Sequence, residues 1–159
     1  MPQIFPYLWF DTESEEAANF YVGIFPNSRI LQTTHYTKVG PRAEGMVLTV
    51  EFELDGKKFG ALNGGPEFKF TEAVSFSIDC RDQAEVDYYW EKLQEGGGQP
   101  SECGWLKDKF GVSWQVSPII LNQMIADPDR EKADRVMAAM MKMKKIEIAP
   151  LEAAYRGEG

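Results

Sequence analysis

The stretch Cys103-Gly-Trp-Leu-Lys-Asp-Lys-Phe-Gly-Val-Ser-Trp-Gln-Val116 decides the fold. It reads as two short strands joined by a tight turn. Asp108 and Gly111 supply the turn chemistry, and Val112, Trp114 and Val116 are strand formers. Successive side chains of a strand face opposite sides of its sheet. Along Ser113 to Ser117, Trp114 and Val116 therefore point one way, and Ser113, Gln115 and Ser117 the other. The earlier segment Val74-Ser75-Phe76-Ser77-Ile78 alternates in the same manner, with both serines on one face. Two strands that turn small hydroxyl or amide groups to one side make either a solvated surface or the lining of a wet pocket.

Upstream of this stretch, Ala73 to Cys80 reads as a strand. Asp82 then caps a helix from about Gln83 to Glu95, with Val86, Tyr89, Trp90 and Leu93 as its apolar stripe and Gly96 to Gly98 as its stop. The same order occurs earlier in the chain. Ile4 to Phe10 is a strand with Pro6 at its start or on an edge. Ser14 is the expected N-cap of a helix whose first turn holds Glu15 and Glu16, where the helix dipole favours acid. Ala17, Ala18, Phe20, Tyr21, Ile24 and Phe25 form its stripe, and Pro26-Asn27 ends it. Strands follow at Arg29 to Thr37 and Met46 to Leu54. The hairpin signal Asp55-Gly56 leads to a return strand from Lys57 to Leu62 and a loop from Asn63 to Pro66. Asp11 and Asp79 stand 68 positions apart, and so do Phe20 and Tyr88. The chain thus reads as β-α-β-β-β done twice. Module 1 covers about residues 1–66 and module 2 about 72–118, within a single domain spanning 1–159.

A tail at 119–159 departs from the repeat. It begins with a short helix from Pro118 to Ile125 and restarts after Asp127-Pro128-Asp129, with Ala133, Val136, Met137, Met140 and Met143 on one stripe. Leu151 to Tyr155 offers one more turn. The four methionines between Met137 and Met143 make an adaptable apolar face, which either covers a sheet edge or packs on a partner.

Composition narrows the classes. A chain of 159 residues that is 43% hydrophobic and 13% aromatic can bury a sizeable core and is not disordered. Its net charge of −8 repels nucleic acid, and the one dense basic run is Lys142-Met-Lys-Lys145. No apolar run approaches the roughly 18 residues of a membrane span, and no basic-then-apolar leader is visible. Two cysteines in an acidic chain point to reduced thiols and a cytoplasmic setting.

The doubled plan resembles the vicinal oxygen chelate superfamily of glyoxalase, bleomycin-resistance and dioxygenase proteins. Pro6-Tyr-Leu-Trp-Phe-Asp11 with Glu15-Glu-Ala-Ala-Asn-Phe-Tyr21, then Ala61-Leu-Asn-Gly-Gly-Pro66, then Cys103 to Val116, are similar to its PhnB-like branch, many of whose members carry the label 3-demethylubiquinone-9 3-methyltransferase. The resemblance implies an α+β glyoxalase/bleomycin-resistance/dioxygenase-like fold. Its two βαβββ modules form a curved, mixed eight-stranded sheet around a cleft, here with added C-terminal helices. It also implies a homodimer.

In the superfamily's metal enzymes, His, Glu or Gln from inner strands hold a divalent ion. At the matching strands this sequence offers Gln3, Asn63, serines and Gln115, with Glu72 just before the strand at Ala73, so no metal site is expected. A nucleotide-type cofactor is held where a Gly-rich turn joins a parallel strand to a helix. Gly64-Gly65-Pro66 opens no helix and Gly96 to Gly98 follows one, so no cofactor is expected either. What remains for a cleft is stacking by Tyr7, Trp9 and Trp105, and hydrogen bonding by Asn63, Ser75, Ser77, Ser113 and Gln115. The expected function is metal-free binding of a small molecule. One alternative is a metal-independent enzyme acting on a quinone- or amine-like substrate through Cys103 or His35, the single histidine. Another is an interaction module that works through the methionine-rich tail. Neither nucleic acid nor a membrane is an expected partner.

Overall fold

A computed structural model of the chain describes residues 1–158. It divides into two units, Met1–Lys69 and a second beginning at Phe70. Each is built on its own four-stranded mixed sheet.

In the first unit β1 (Tyr7–Phe10) is followed by α1 (Ser14–Ile24), β2 (Arg29–His35), β3 (Val47–Leu54) and β4 (Lys57–Asn63). The sheet order is β1-β4-β3-β2. β1 lies parallel to β4 and the other neighbours are antiparallel. β1 starts three residues later than the sequence suggests. Pro6 accepts from the Gly60 N–H at 2.9 Å but has no N–H to give, and Ile4 is exposed. Ala17, Ala18, Tyr21 and Ile24 of α1 are buried, as are Val50, Phe52 and Leu54 of β3, and Tyr21 stacks on Phe52.

The start of α1 corrects one expectation. Ser14 is the first helical residue rather than the cap, and its fully buried hydroxyl has no partner. The helix end is held instead by Asn63, whose Oδ1 accepts from the Ser14 N–H at 2.9 Å. An N-terminal N–H of a helix needs an acceptor, and here it comes from the end of β4.

The second unit runs β5 (Ser75–Cys80), α2 (Gln83–Gln94), β6 (Gln99–Pro100), β7 (Trp105–Lys107) and β8 (Ser113–Pro118), in the order β5-β8-β7-β6. β5 is parallel to β8, and β6, β7 and β8 are antiparallel in turn. Asp82 caps α2 as the sequence predicts, accepting from the Glu85 N–H at 2.9 Å. The turn at Asp108 and Gly111 is also as expected, and Asp108 does more than turn the chain. Its Oδ1 accepts from the Phe110 and Val112 N–H groups at 2.9 and 3.1 Å, and its Oδ2 from the Trp114 indole at 2.9 Å.

Three helices complete this unit: α3 (Ile119–Ile125), α4 (Arg130–Met140) and α5 (Ile148–Tyr155). Leu121, Met124, Val136, Ile146 and Leu151 form a small core among them, against which Met140 and Met143 pack. Met137 and Met141 remain exposed. The segment before α5 is pinned to the rest of the unit. Cys103 and Gly104 donate their N–H groups to the Met143 and Lys144 carbonyls, and the Gln83 carboxamide pairs with both Ile146 O and Ile148 N.

Candidate functional site

Register places the predicted polar residues of the second sheet on one face. Ser75 stands opposite Ser113 and Ser77 opposite Gln115 in the β5–β8 ladder. Trp105 stands opposite Gln115 and Lys107 opposite Ser113 in the β7–β8 ladder. Directly opposed residues share a face, so Ser75, Ser77, Trp105, Lys107, Ser113 and Gln115 lie together. The other face carries Leu106, Trp114 and Val116, all buried.

The polar face is connected. Gln115 Nε2 donates to Ser75 Oγ at 2.9 Å, which leaves Gln115 Oε1 as an open acceptor. Lys107 pairs with Glu72 and holds that carboxyl below its ordinary pKa range. Beside them lies a cavity of about 290 Å³ lined by Glu72, Gln99, Pro100, Ser101, Trp105, Leu106, Lys107 and Ser113. Its volume sits near the lower end of small-molecule sites. Ser113 is 2% exposed, yet its hydroxyl has no hydrogen-bond partner. A buried hydroxyl left unpaired costs roughly 1–3 kcal/mol, a cost that Ser14 of the first unit shares.

In the first sheet Tyr7 and Trp9 lie on the face away from α1, as expected from their alternation with buried Leu8 and Phe10. Trp9 is taken up by the unit itself, whereas Tyr7 lies over Gly60 and stays 42% exposed. A Cβ on Gly60 would fall 2.4 Å from the Tyr7 ring, and one on Gly64 would fall 2.3 Å from the Trp9 ring. Trp9 also donates its indole N–H to Gly65 O at 2.9 Å and meets Phe68 edge to face. Gly64-Gly65 is therefore a bed for an indole. Glu51 and Lys58, paired at 3.2 Å, occupy the same face as Tyr7 and are not among the residues expected to line a cleft. The alternation of Glu51 and Glu53 with buried Phe52 was the signal available for them.

Three predicted residues lie apart from these faces. Asn63 is 2% exposed and sits on the helix side. Its carboxamide serves Ser14 N and Val47 O, and its carbonyl accepts from the Tyr36 hydroxyl at 2.6 Å. Cys103 turns its thiol toward Met140 O (3.7 Å) and Met141 Sδ (3.9 Å), at the tail. His35 is exposed at the end of β2, in the other unit from Cys103.

Among the described residues no three His, Cys, Asp or Glu side chains come together as a metal-holding group. Of the six residues of the polar face, Gln115 alone is of a ligand type found in the superfamily's metal enzymes, and Glu72 at the cavity is paired with Lys107. Nor does either glycine run form a strand-to-helix phosphate cradle, since Gly64-Gly65 holds Trp9 and Gly96 to Gly98 follows α2.

Paired βαβββ units of this kind define the glyoxalase/bleomycin-resistance class of folds. A family model described as 3-demethylubiquinone-9 3-methyltransferase matches residues 2–117. The PhnB protein of Bacillus cereus is 33% identical, with a TM-score of 0.67, and the match covers 74% of this chain and 99% of that one. Protein PA1353 of Pseudomonas aeruginosa is 20% identical with a TM-score of 0.63, covering 74% of this chain and 98% of that one, and shares the fold. No curated protein matches the sequence. The chain belongs to the PhnB-like family whose model carries the 3-demethylubiquinone-9 3-methyltransferase description. The family match ends before α3, so the three-helix tail lies outside it.

Proposed function

We propose that the polar face of the second sheet binds a small, flat, hydrogen-bonding molecule without the help of a metal. The observation that carries this reading is Ser113, a buried and unpaired hydroxyl in the wall of a cavity. Trp105 is half-buried beside it and supplies a stacking surface. Gln115 Oε1 supplies an acceptor held in place by the bond from its Nε2 to Ser75. Ser77 adds a hydroxyl at the exposed rim. Lys107 and Glu72 compensate each other, so the wall as a whole favours a neutral or zwitterionic ligand over a simple ion. The protein works in this reading as a cytoplasmic homodimer, the state that the family resemblance implies. Light scattering on purified protein tests the dimer.

Nitrogen–proton correlation spectra recorded with a library of small heteroaromatic amides test the site. Expected are compounds that shift the Trp105 indole and the Ser113 and Gln115 amides, and whose affinity falls about fivefold or more in Trp105→Ala, since stacking on an aromatic ring contributes on the order of 1 kcal/mol. Hits confined to other residues, or a library without a single hit on this face, overturn the proposal.

A further inference from the structure

One group of reactive side chains has no part in that face: the sulfurs where the β6–β7 turn meets the tail. Cys103 adopts a left-handed backbone (φ 57°), held by N–H bonds from Cys103 to Met143 O at 2.8 Å and from Gly104 to Lys144 O at 2.7 Å. Its Sγ lies 3.9 Å from Met141 Sδ. Met141 is 61% exposed and still in right-handed helical conformation as the cap of α4. Met137, 39% exposed, stands one helical turn earlier on the same flank, because residues four apart on a helix are neighbours. Met143 is already engaged, its sulfur accepting from the Glu147 N–H at 3.5 Å.

We propose that Cys103, Met141 and Met137 form a surface site for a soft monovalent cation, copper(I). Thiolate and thioether donors select copper(I) over harder ions. Three sulfurs bound at roughly 2.3 Å, the zinc–thiolate value, and spaced evenly in a plane would stand about 4.0 Å apart. The Cys103–Met141 pair is at 3.9 Å before any ion arrives. Glu102, the carboxylate next to Cys103 in the chain, is paired with Lys144 at 3.2 Å and so is not free for a harder ion. Binding breaks the Cys103 S–H bond, forms an S–Cu bond and releases the proton to water, so the copper thiolate carries no net charge. Met137 and Met141 lie beyond residue 117, so the site belongs to this chain and not to the part matched by the family.

The test is an anaerobic titration of the full-length protein with copper(I) buffered by bicinchoninate. The expected result is one equivalent withdrawn from the chelator, with the ultraviolet charge-transfer band of a copper thiolate. Met141→Leu keeps the apolar bulk of an exposed position and is expected to weaken binding by roughly tenfold or more, the loss typical even for an outer-shell partner of a metal. Cys103→Ser is expected to abolish both the binding and the band, whereas Cys80→Ala is expected to keep them. Failure of the wild type to compete, or a Met141→Leu variant that binds as tightly as wild type, overturns the proposal.

Discussion

The Asn63 carboxamide oxygen accepts the Ser14 backbone N–H at 2.9 Å across 49 residues of chain. The same carboxamide donates to Val47 O at 3.0 Å. One buried side chain therefore ties the end of β4 both to the start of α1 and to β3.

Asn63→Ala removes both bonds and leaves the α1 terminus without its acceptor. The expected loss is about 2 kcal/mol, in the range for losing a helix cap or a buried hydrogen bond. Urea unfolding followed by circular dichroism measures it. Ligand affinity on the second sheet is expected to stay at the wild-type value, because Asn63 contributes nothing to that face.

The glycines under the two aromatic rings make a paired test. Gly60→Ala and Gly64→Ala push a methyl group to 2.4 and 2.3 Å from the Tyr7 and Trp9 rings, and each is expected to cost about 1–3 kcal/mol through overpacking. Gly23, in α1, has nothing within 4 Å of an added Cβ. Gly23→Ala is expected to stabilise by roughly 0.5–1 kcal/mol, since alanine loses less backbone entropy in a helix. Melting temperatures of the three variants should fall on opposite sides of the wild-type value.

Asp108 is 3% exposed, and its carboxylate accepts from the Phe110 and Val112 N–H groups and the Trp114 indole within its own turn and strand. Asp108→Ala orphans the Trp114 indole N–H in the core and two backbone donors. A loss of about 3 kcal/mol or more is expected. The near-ultraviolet circular dichroism of Trp114 should weaken while the far-ultraviolet signal of the helices persists.

Gln83 reaches across 63 residues to Ile146 O at 3.0 Å and accepts from Ile148 N at 2.8 Å. Gln83→Ala frees the segment before α5 from α2. Hydrogen exchange is expected to accelerate at Ile146 and Ile148, with little change at α2 itself. Equal acceleration in both places would show that the tail and α2 open together.

Burial, with Glu85, Asp79 and Asp82 nearby, pushes the Cys80 thiol up to about 12 from an ordinary 9.0. Iodoacetamide at about pH 8 is therefore expected to modify Cys103 alone in the native protein and both cysteines once it is unfolded. The raised value also has a sign for stability. Above pH 9.0 the unfolded chain gives up this proton while the folded one keeps it up to about 12, so this contribution is intact below 9.0 and declines across that alkaline range. Denaturant midpoints at rising pH, compared with Cys80→Ala, isolate the effect.

Much of the fold was legible because its signals are local. The alternation in Ser113 to Val116, the Asp108–Gly111 turn, the Asp82 cap and the stripe of α2 each span a few residues, and each stands in the structure as read. Ser14 misled because a serine before a helix looks the same whether its hydroxyl caps or is buried. Asn63 misled because a loop-like Asn-Gly-Gly gives no sign that the asparagine turns inward. Spacing placed Met137 on one stripe with Ala133 and Val136, but on α4 it is exposed while those two take the buried positions.

The sequence alone determined the order of elements, the duplication and which strand residues share a side, since periods of two and 3.6 are written in neighbouring positions. Tertiary structure decided which strands lie side by side and in what register. That choice brought Gln115 to Ser75, Asn63 to Ser14 and Cys103 to Met141. Such meetings depend on the joint packing of segments 38 to 49 residues apart. A one-residue slip in a ladder would send each side chain to the opposite face.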